Sequence, residues 1–309
     1  MGVFVKKLNA LEPPVHPFEL IWVRMVMTWA VCIAYMTAAS VPDPVLGPKG
    51  VRLLLTLRGV SGFIGLFGTY YALQYLSLSD TTVLSFLTPM CTAVTGALLL
   101  KEEITAKQMM ASLFSFAGVI LIARPAFLFG QHVQDTQGGE GDPARTVTAS
   151  QRLGAVGVAL FGVIGLTSAY TTVRAIGKRA HALHNLSAFS SFCVVTAPIA
   201  MLITRTKFVI PDNVHQLLLI LGVSVCGYGA QVAMTTGLQR ETAGRGTMAI
   251  YVQVIFSLIF EKLFFNTTPP VLSLVGTAII LSSAIYVAVS DLTLFRRHFD
   301  LRLTFRLSS

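Results

Sequence analysis

Few residues in this sequence have the types and spacing that chemistry requires. His181 and His184 stand three apart, but they lie in a basic stretch with no cysteine or carboxylate partner, so no metal site is expected. The chain has no GxxxxGK[ST] loop, no GxSxG elbow and no HExxH helix. Neither ATP-driven pumping nor enzymatic catalysis is expected, and no cofactor. Cys32, Cys91, Cys193 and Cys226 all sit inside apolar runs and read as small buried hydrophobes. What remains are polar groups inside long apolar runs. Arg24 stands about six residues into its run, ~9 Å deep at 1.5 Å per residue. Its guanidinium either snorkels to the interface or faces an anion. Tyr70, Tyr71 and Gln74 share a second run, Gln231, Thr235 and Gln239 a later one, and Tyr251 and Gln253 the next. Such side chains either tie helices together or contact a polar solute without the cost of a buried charge.

The elements that must position these residues follow from composition. Of 309 residues, 54% are hydrophobic and 12% charged, against roughly 25% charged in a soluble domain. Mean hydropathy is +0.70. A soluble globule would lack the charged surface it needs. Apolar runs recur at 18–39, 58–77, 81–100, 107–125, 153–173, 186–204, 215–238, 246–265 and 271–290. Each has about the length that crosses ~30 Å of hydrocarbon as a helix. They are too long and too evenly apolar for barrel strands, so the fold class expected is an all-α integral membrane protein with about nine transmembrane helices. Within 81–100, Thr88-Pro89 should kink the helix. Gly59, Gly62, Gly65 and Gly68 recur every three residues. Since three residues turn ~300°, they drift around their helix rather than form one stripe, and permit close packing.

The net charge of +9 comes from Lys and Arg placed between the apolar runs. That is the pattern of membrane topology rather than of nucleic-acid binding, and no nucleic-acid partner is expected. With the C-terminus in the cytoplasm, the cytoplasmic set includes Lys49, Arg52, Arg58, Lys101, Lys107, Arg174, Lys178, Arg179, Arg240 and Arg245. It outnumbers the opposite side about fourteen to eight. Nine spans then put the N-terminus outside. The longest connection, 128–151, is Gly-rich and polar and reads as a linker between halves. The tail over 292–309 is basic and amphipathic. It either lies on an anionic leaflet or is solvated.

Sliding the chain by 165 positions places Leu73-Gln74 on Leu238-Gln239 and Gly62 on Gly227. The spans at 81–100 and 107–125 then fall on those at 246–265 and 271–290. Matching spans are five apart in order, an odd number, so the two copies would be inverted. Inverted repeats are the architecture of many alternating-access carriers.

"RGVSGFIGLFGTYYALQYLSLSDTTVLSFLTPMCTAVTGALLLKEEIT" and "GYGAQVAMTTGLQRETAGRGTMAIYVQVIFSLIFEKLFF" resemble the two halves of an EamA-type member of the drug/metabolite transporter superfamily. The branch is the eukaryotic, mainly fungal one related to nucleotide-sugar and triose-phosphate carriers. The resemblance implies ten helices in two inverted five-helix repeats. "MGVFVKKLNAL" resembles only the tail of the family's first helix. The expected division is therefore a first repeat over 1–127 with four spans, the linker 128–151, a second repeat over 152–291 with five spans, and the tail. An acid that the family carries at the end of its fourth helix falls on Glu102 or Glu103.

The function expected is secondary-active transport of a small organic metabolite by alternating access. An anion would suit Arg24. The bilayer is the surrounding partner and a homodimer is left open. The alternative is a membrane-embedded enzyme or a non-transporting scaffold. The location is the plasma membrane or an endomembrane.

Overall fold

A computed structural model describes residues 17–76, 78–102, 105–123, 149–205, 214–265, 271–272, 274–283 and 285–286. Glu103, most of the linker and the whole basic tail lie outside them. The apolar runs fold as helices: α1 (Pro17–Ala38), α2 (Arg52–Tyr75), α3 (Leu78–Ser85), α4 (Thr88–Leu100), α5 (Ala106–Ala123), α6 (Ala149–Ile176), α7 (Ala182–Ile203), α8 (Val214–Arg240) and α9 (Ala243–Phe265). A further helix, α10 (Leu274–Ser283), follows. Among the described residues, five stretches are long and apolar enough to cross a membrane, and two shorter apolar helices accompany them. By length, α2 with 24 residues and α9 with 23 reach across ~30 Å as well. The protein is an all-α, multi-pass membrane protein.

Two local features depart from a plain succession of rods. The run at 81–100 is broken: α3 ends at Ser85, and α4 begins at Thr88 with Pro89 in its first turn. Pro89 has no N–H and its ring crowds the carbonyl one turn back, so the helix restarts instead of continuing. The second departure is the start of α2. The helix begins at Arg52, six residues before the apolar run, and draws Arg58 inside it. Arg58, counted with the cytoplasmic loops by sequence, is a buried residue of α2 with 4% exposure.

Small residues set how closely the helices approach. On α2, a methyl group at Gly59 would fall 3.0 Å from the Ala188 carbonyl of α7, and one at Gly62 would fall 2.7 Å from the Phe189 ring. One turn further the contact passes to α6. A methyl at Gly65 would meet Leu166 at 2.5 Å, and one at Gly68 would meet the Gly162 Cα at 2.5 Å. Beyond them Ala72 packs with Ala155 and Ala159. The glycines thus face α7 first and α6 afterwards, as the rotation of a three-residue spacing requires. A second close crossing joins α5 to α10, where Gly118 and Gly276 each lie against the other's carbonyl.

The hydrophobic centre combines α3, α5, α9 and α10 through Val83, Phe86, Val119, Tyr251, Ile255 and Ile280. Outward positions are apolar too: Leu53, Leu98, Leu153 and Leu202 are exposed. That is the surface a hydrocarbon solvent selects and water would reject.

Candidate functional site

Several helix ends meet: Gly47 lies against His184, Glu102 bonds Arg174 and the Ala243 amide, and Gln239 bonds the Ala180 carbonyl. There, α1, α7, α8 and the turn over 177–181 border an open cavity of about 670 Å³. Its volume lies in the range of small-molecule sites. Tyr35 of α1 and Tyr228 of α8 supply aromatic walls, Thr236 and Gln239 of α8 supply hydrogen-bonding groups, and Lys178 and Arg240 supply positive charge. His181 also lines it and starts α7. Its Nδ1 accepts a hydrogen bond from the Leu183 amide at 3.3 Å, which caps the start of α7. Among the residues that line it there is no carboxylate, so Lys178 and Arg240 leave its lining positively charged.

A charged junction holds the neighbouring helix ends together. Lys101 takes the left-handed conformation (φ 55°) that ends α4, and the chain then turns Glu102 toward α9. The Glu102 carboxylate accepts from Arg174 Nε of α6 at 2.6 Å and from the Ala243 amide, the first residue of α9, at 2.8 Å. Arg174 Nη1 also donates to the Gln239 carbonyl near the end of α8, at 3.3 Å. One carboxylate therefore ties α4 to α6 and places negative charge at the α9 N-terminus, where the helix dipole favours it. Glu102 is 11% exposed and Arg174 26%, so water screens this pair only partly. The Gln239 Nε2 donates to the Ala180 carbonyl at 3.1 Å and anchors the turn that closes the cavity.

The sequence candidates separate in space. Gln239 lines the cavity. Gln231, Thr235 and Gln239 are four apart on α8 and so lie near one another along its length, with Gly227 one turn further. Arg24 reaches this line from α1: its Nε sits 2.6 Å from where a methyl on Gly227 would stand. Tyr71 belongs instead to an aromatic ladder along α2, with ring centroids 5.9 Å from Phe67 and 5.1 Å from Tyr75. The side chains of Tyr70 and Gln74 lie outside the described residues. Tyr251 is buried in the hydrophobic centre at 1% exposure. Its ring stacks on Phe86 at 5.6 Å and its hydroxyl donates to the Phe86 carbonyl at 3.0 Å. Gln253 is exposed on α9. Sequence reasoning missed the cavity's Tyr35, Tyr228 and Lys178, and it missed Arg58. The signal for Arg58 was an arginine at the very edge of an apolar run.

Comparison with known proteins agrees with this architecture. The model of the EamA-like transporter family matches residues 1–124 and 151–289. The chain is 38% identical to the Probable transport protein YPL264C of Saccharomyces cerevisiae, over 91% of this chain and 80% of that one. It is 30% identical to human Solute carrier family 35 member G1, over 93% and 74%. It is 23% identical to the pseudopaline exporter CntI of Pseudomonas aeruginosa, over 92% and 89%. A solved crystal structure superposes with a TM-score of 0.70 over 92% of both chains at 17% identity, which establishes a shared fold. These relatives are named as transport proteins, and a small-molecule substrate and a lipid environment follow for a multi-pass protein of this kind. The two segments matched by the family model cover most of the sequence, and the chain belongs to the EamA-like transporter family.

Proposed function

We propose that the protein is a secondary-active carrier of a small organic metabolite, working by alternating access between two inverted halves. The observation that carries this reading is the contact between Phe86 and Tyr251. These two residues are 165 positions apart, the offset of the internal repeat, and they touch. Points exchanged by a two-fold axis meet only on that axis, so the pair is where a first repeat over 1–127 and a second over 152–291 would pivot. The end that carries Lys178 and Arg240 is the cytoplasmic one in this reading, and the cavity beside α8 is the access route from that side. The solute carries a negative group. Lys178 and Arg240 draw it in, and Gln239, Thr235 and Gln231 lead along α8 toward Arg24. Tyr70, Tyr71 and Gln74 are carried as contacts from the first half and Gln253 as a contact from the second, while the Tyr251 hydroxyl stays with the Phe86 carbonyl.

The test is uptake into proteoliposomes containing the purified full chain, screened against a panel of radiolabelled organic anions, neutral sugars and amines. Saturable uptake of an anion, weakened in Arg24→Lys and further in Arg24→Met, is expected. Lys keeps the charge and loses the planar fork that suits carboxylate or phosphate. Absence of saturable uptake across the panel would set the carrier reading aside, and unchanged uptake in Arg24→Met would remove Arg24 from the path.

A further inference from the structure

Among the described residues Arg58 has no hydrogen-bond partner for Nε and no carboxylate partner, and it is 4% exposed. Its Cζ lies 4.5 Å from the centroid of the Phe189 ring of α7, and its guanidinium folds back over Gly62 one turn further along α2. Tyr170 of α6 lies within electrostatic range. A cation–π contact recovers only part of what burying an unpaired cation costs, so the Phe189 ring alone does not account for a charge at this depth. A position whose charge is not compensated by the fold is suited to one compensated by a ligand.

A second arginine lies over the glycine that the 165-residue offset pairs with Gly62: Arg24 of α1 reaches Gly227 of α8, whereas Arg58 folds over Gly62 of its own helix. One guanidinium comes from α1 and the other from α2, and both lie within electrostatic range of Cys193 on α7. The two forks thus approach one region from neighbouring helices.

We propose that Arg58 is an anion-binding residue of the transport path, which holds the carboxylate or phosphate of an organic solute and rests on the Phe189 ring when no anion is present. The inference deepens the carrier reading and rests on it for the word transport, though not for binding. An anion reaches the guanidinium when Phe189 withdraws. Phe189 of α7 rests over Gly62 of α2, a position that carries no side chain for the ring to clear as it leaves.

The test measures thermal unfolding of the purified full chain in detergent against rising inorganic phosphate or succinate, with chloride as the reference at matched ionic strength. Saturable stabilisation of the wild type by at least one of the two anions is expected. Arg58→Met should raise the half-saturating concentration at least tenfold, and Arg58→Lys should fall between. Without anion, Arg58→Met should melt at or above the wild-type temperature, because a buried charge has been removed. Phe189→Leu keeps the guanidinium and removes its resting place, so it should lower the half-saturating concentration about threefold; this variant carries the test if Arg58→Met does not fold. No stabilisation of the wild type by either anion, or the same half-saturation in Arg58→Met, overturns the proposal. A lower melting temperature of Arg58→Met with unchanged half-saturation identifies a purely structural contact and also overturns it. Uptake of the stabilising anion into proteoliposomes separates the two readings. Binding through Arg58 without uptake retains the site and removes the carrier, whereas uptake undiminished in Arg58→Met does the reverse.

Discussion

Single side chains here divide between those whose polar atoms are already engaged by the fold and those that are not, and substitutions should follow that division. The Tyr251 hydroxyl is engaged by the Phe86 carbonyl, which the break before Pro89 leaves without its usual helical partner. Tyr251→Phe keeps the stacked ring and orphans that carbonyl. It should cost about 1–3 kcal/mol of stability, read as a lower melting temperature, with solute affinity unchanged. A changed affinity with an unchanged melting temperature would instead return Tyr251 to the solute path. Glu102 is engaged twice, by Arg174 and by the α9 N-terminus. Glu102→Ala should lower stability by about 1.5–3 kcal/mol, the scale of hydrogen bonds to charged groups. Glu102→Gln should lower it less, since the amide oxygen still accepts from Ala243. Equal melting temperatures for wild type and Glu102→Ala would show that the junction carries no stability.

Between elements, the closeness of approach is set by glycine. Gly68 and Gly162 let the α2 and α6 backbones nearly touch, whereas Gly157, also on α6, has open space where a methyl would stand. Gly68→Leu forces the helices apart and should cost about 1–3 kcal/mol or more from overpacking. Gly157→Ala meets nothing and should be neutral or gain up to about 1 kcal/mol from reduced backbone entropy. Thermal unfolding of the two variants side by side checks both expectations, and a stable Gly68→Leu would mean that the crossing is not close in solution. The three-residue glycine spacing was visible in the sequence. Which helices receive each glycine was not, because spacing states a rotation about one axis and says nothing of what stands there. The break at Pro89 was legible as a kink for the converse reason: the missing N–H is a covalent property of the residue itself.

For the molecule as a whole, the end that carries Lys178 and Arg240 should face the cytoplasm. The sequon Asn185-Leu186-Ser187 is a poor reporter of this, since Asn185 is fully buried in α7. Lys178, in the turn over 177–181 that lines the cavity, is a better site. Cys32 and Cys193 are buried, whereas Cys91 and Cys226, expected to be buried, are exposed on the protein surface; with these two replaced by Ala, a membrane-impermeant maleimide should modify Lys178→Cys in sealed right-side-out vesicles only after permeabilisation. Modification in sealed vesicles would invert the topology. The sequence by itself determined the solvent of this protein, its helical class and the approximate place of each helix, because transfer of apolar groups and backbone satisfaction in lipid are nearly local properties. It also held the 165-residue offset at which Phe86 and Tyr251 meet. Only the tertiary structure decided which polar groups serve the fold and which remain uncompensated. Arg58 looked like a loop charge and is buried, and Tyr251 looked like a solute contact and has its hydroxyl on a helix break. Residue type states what a side chain can donate or accept, but its partner is supplied by an element distant in the sequence, 72 residues away for Glu102 and Arg174 and 165 for Tyr251 and Phe86.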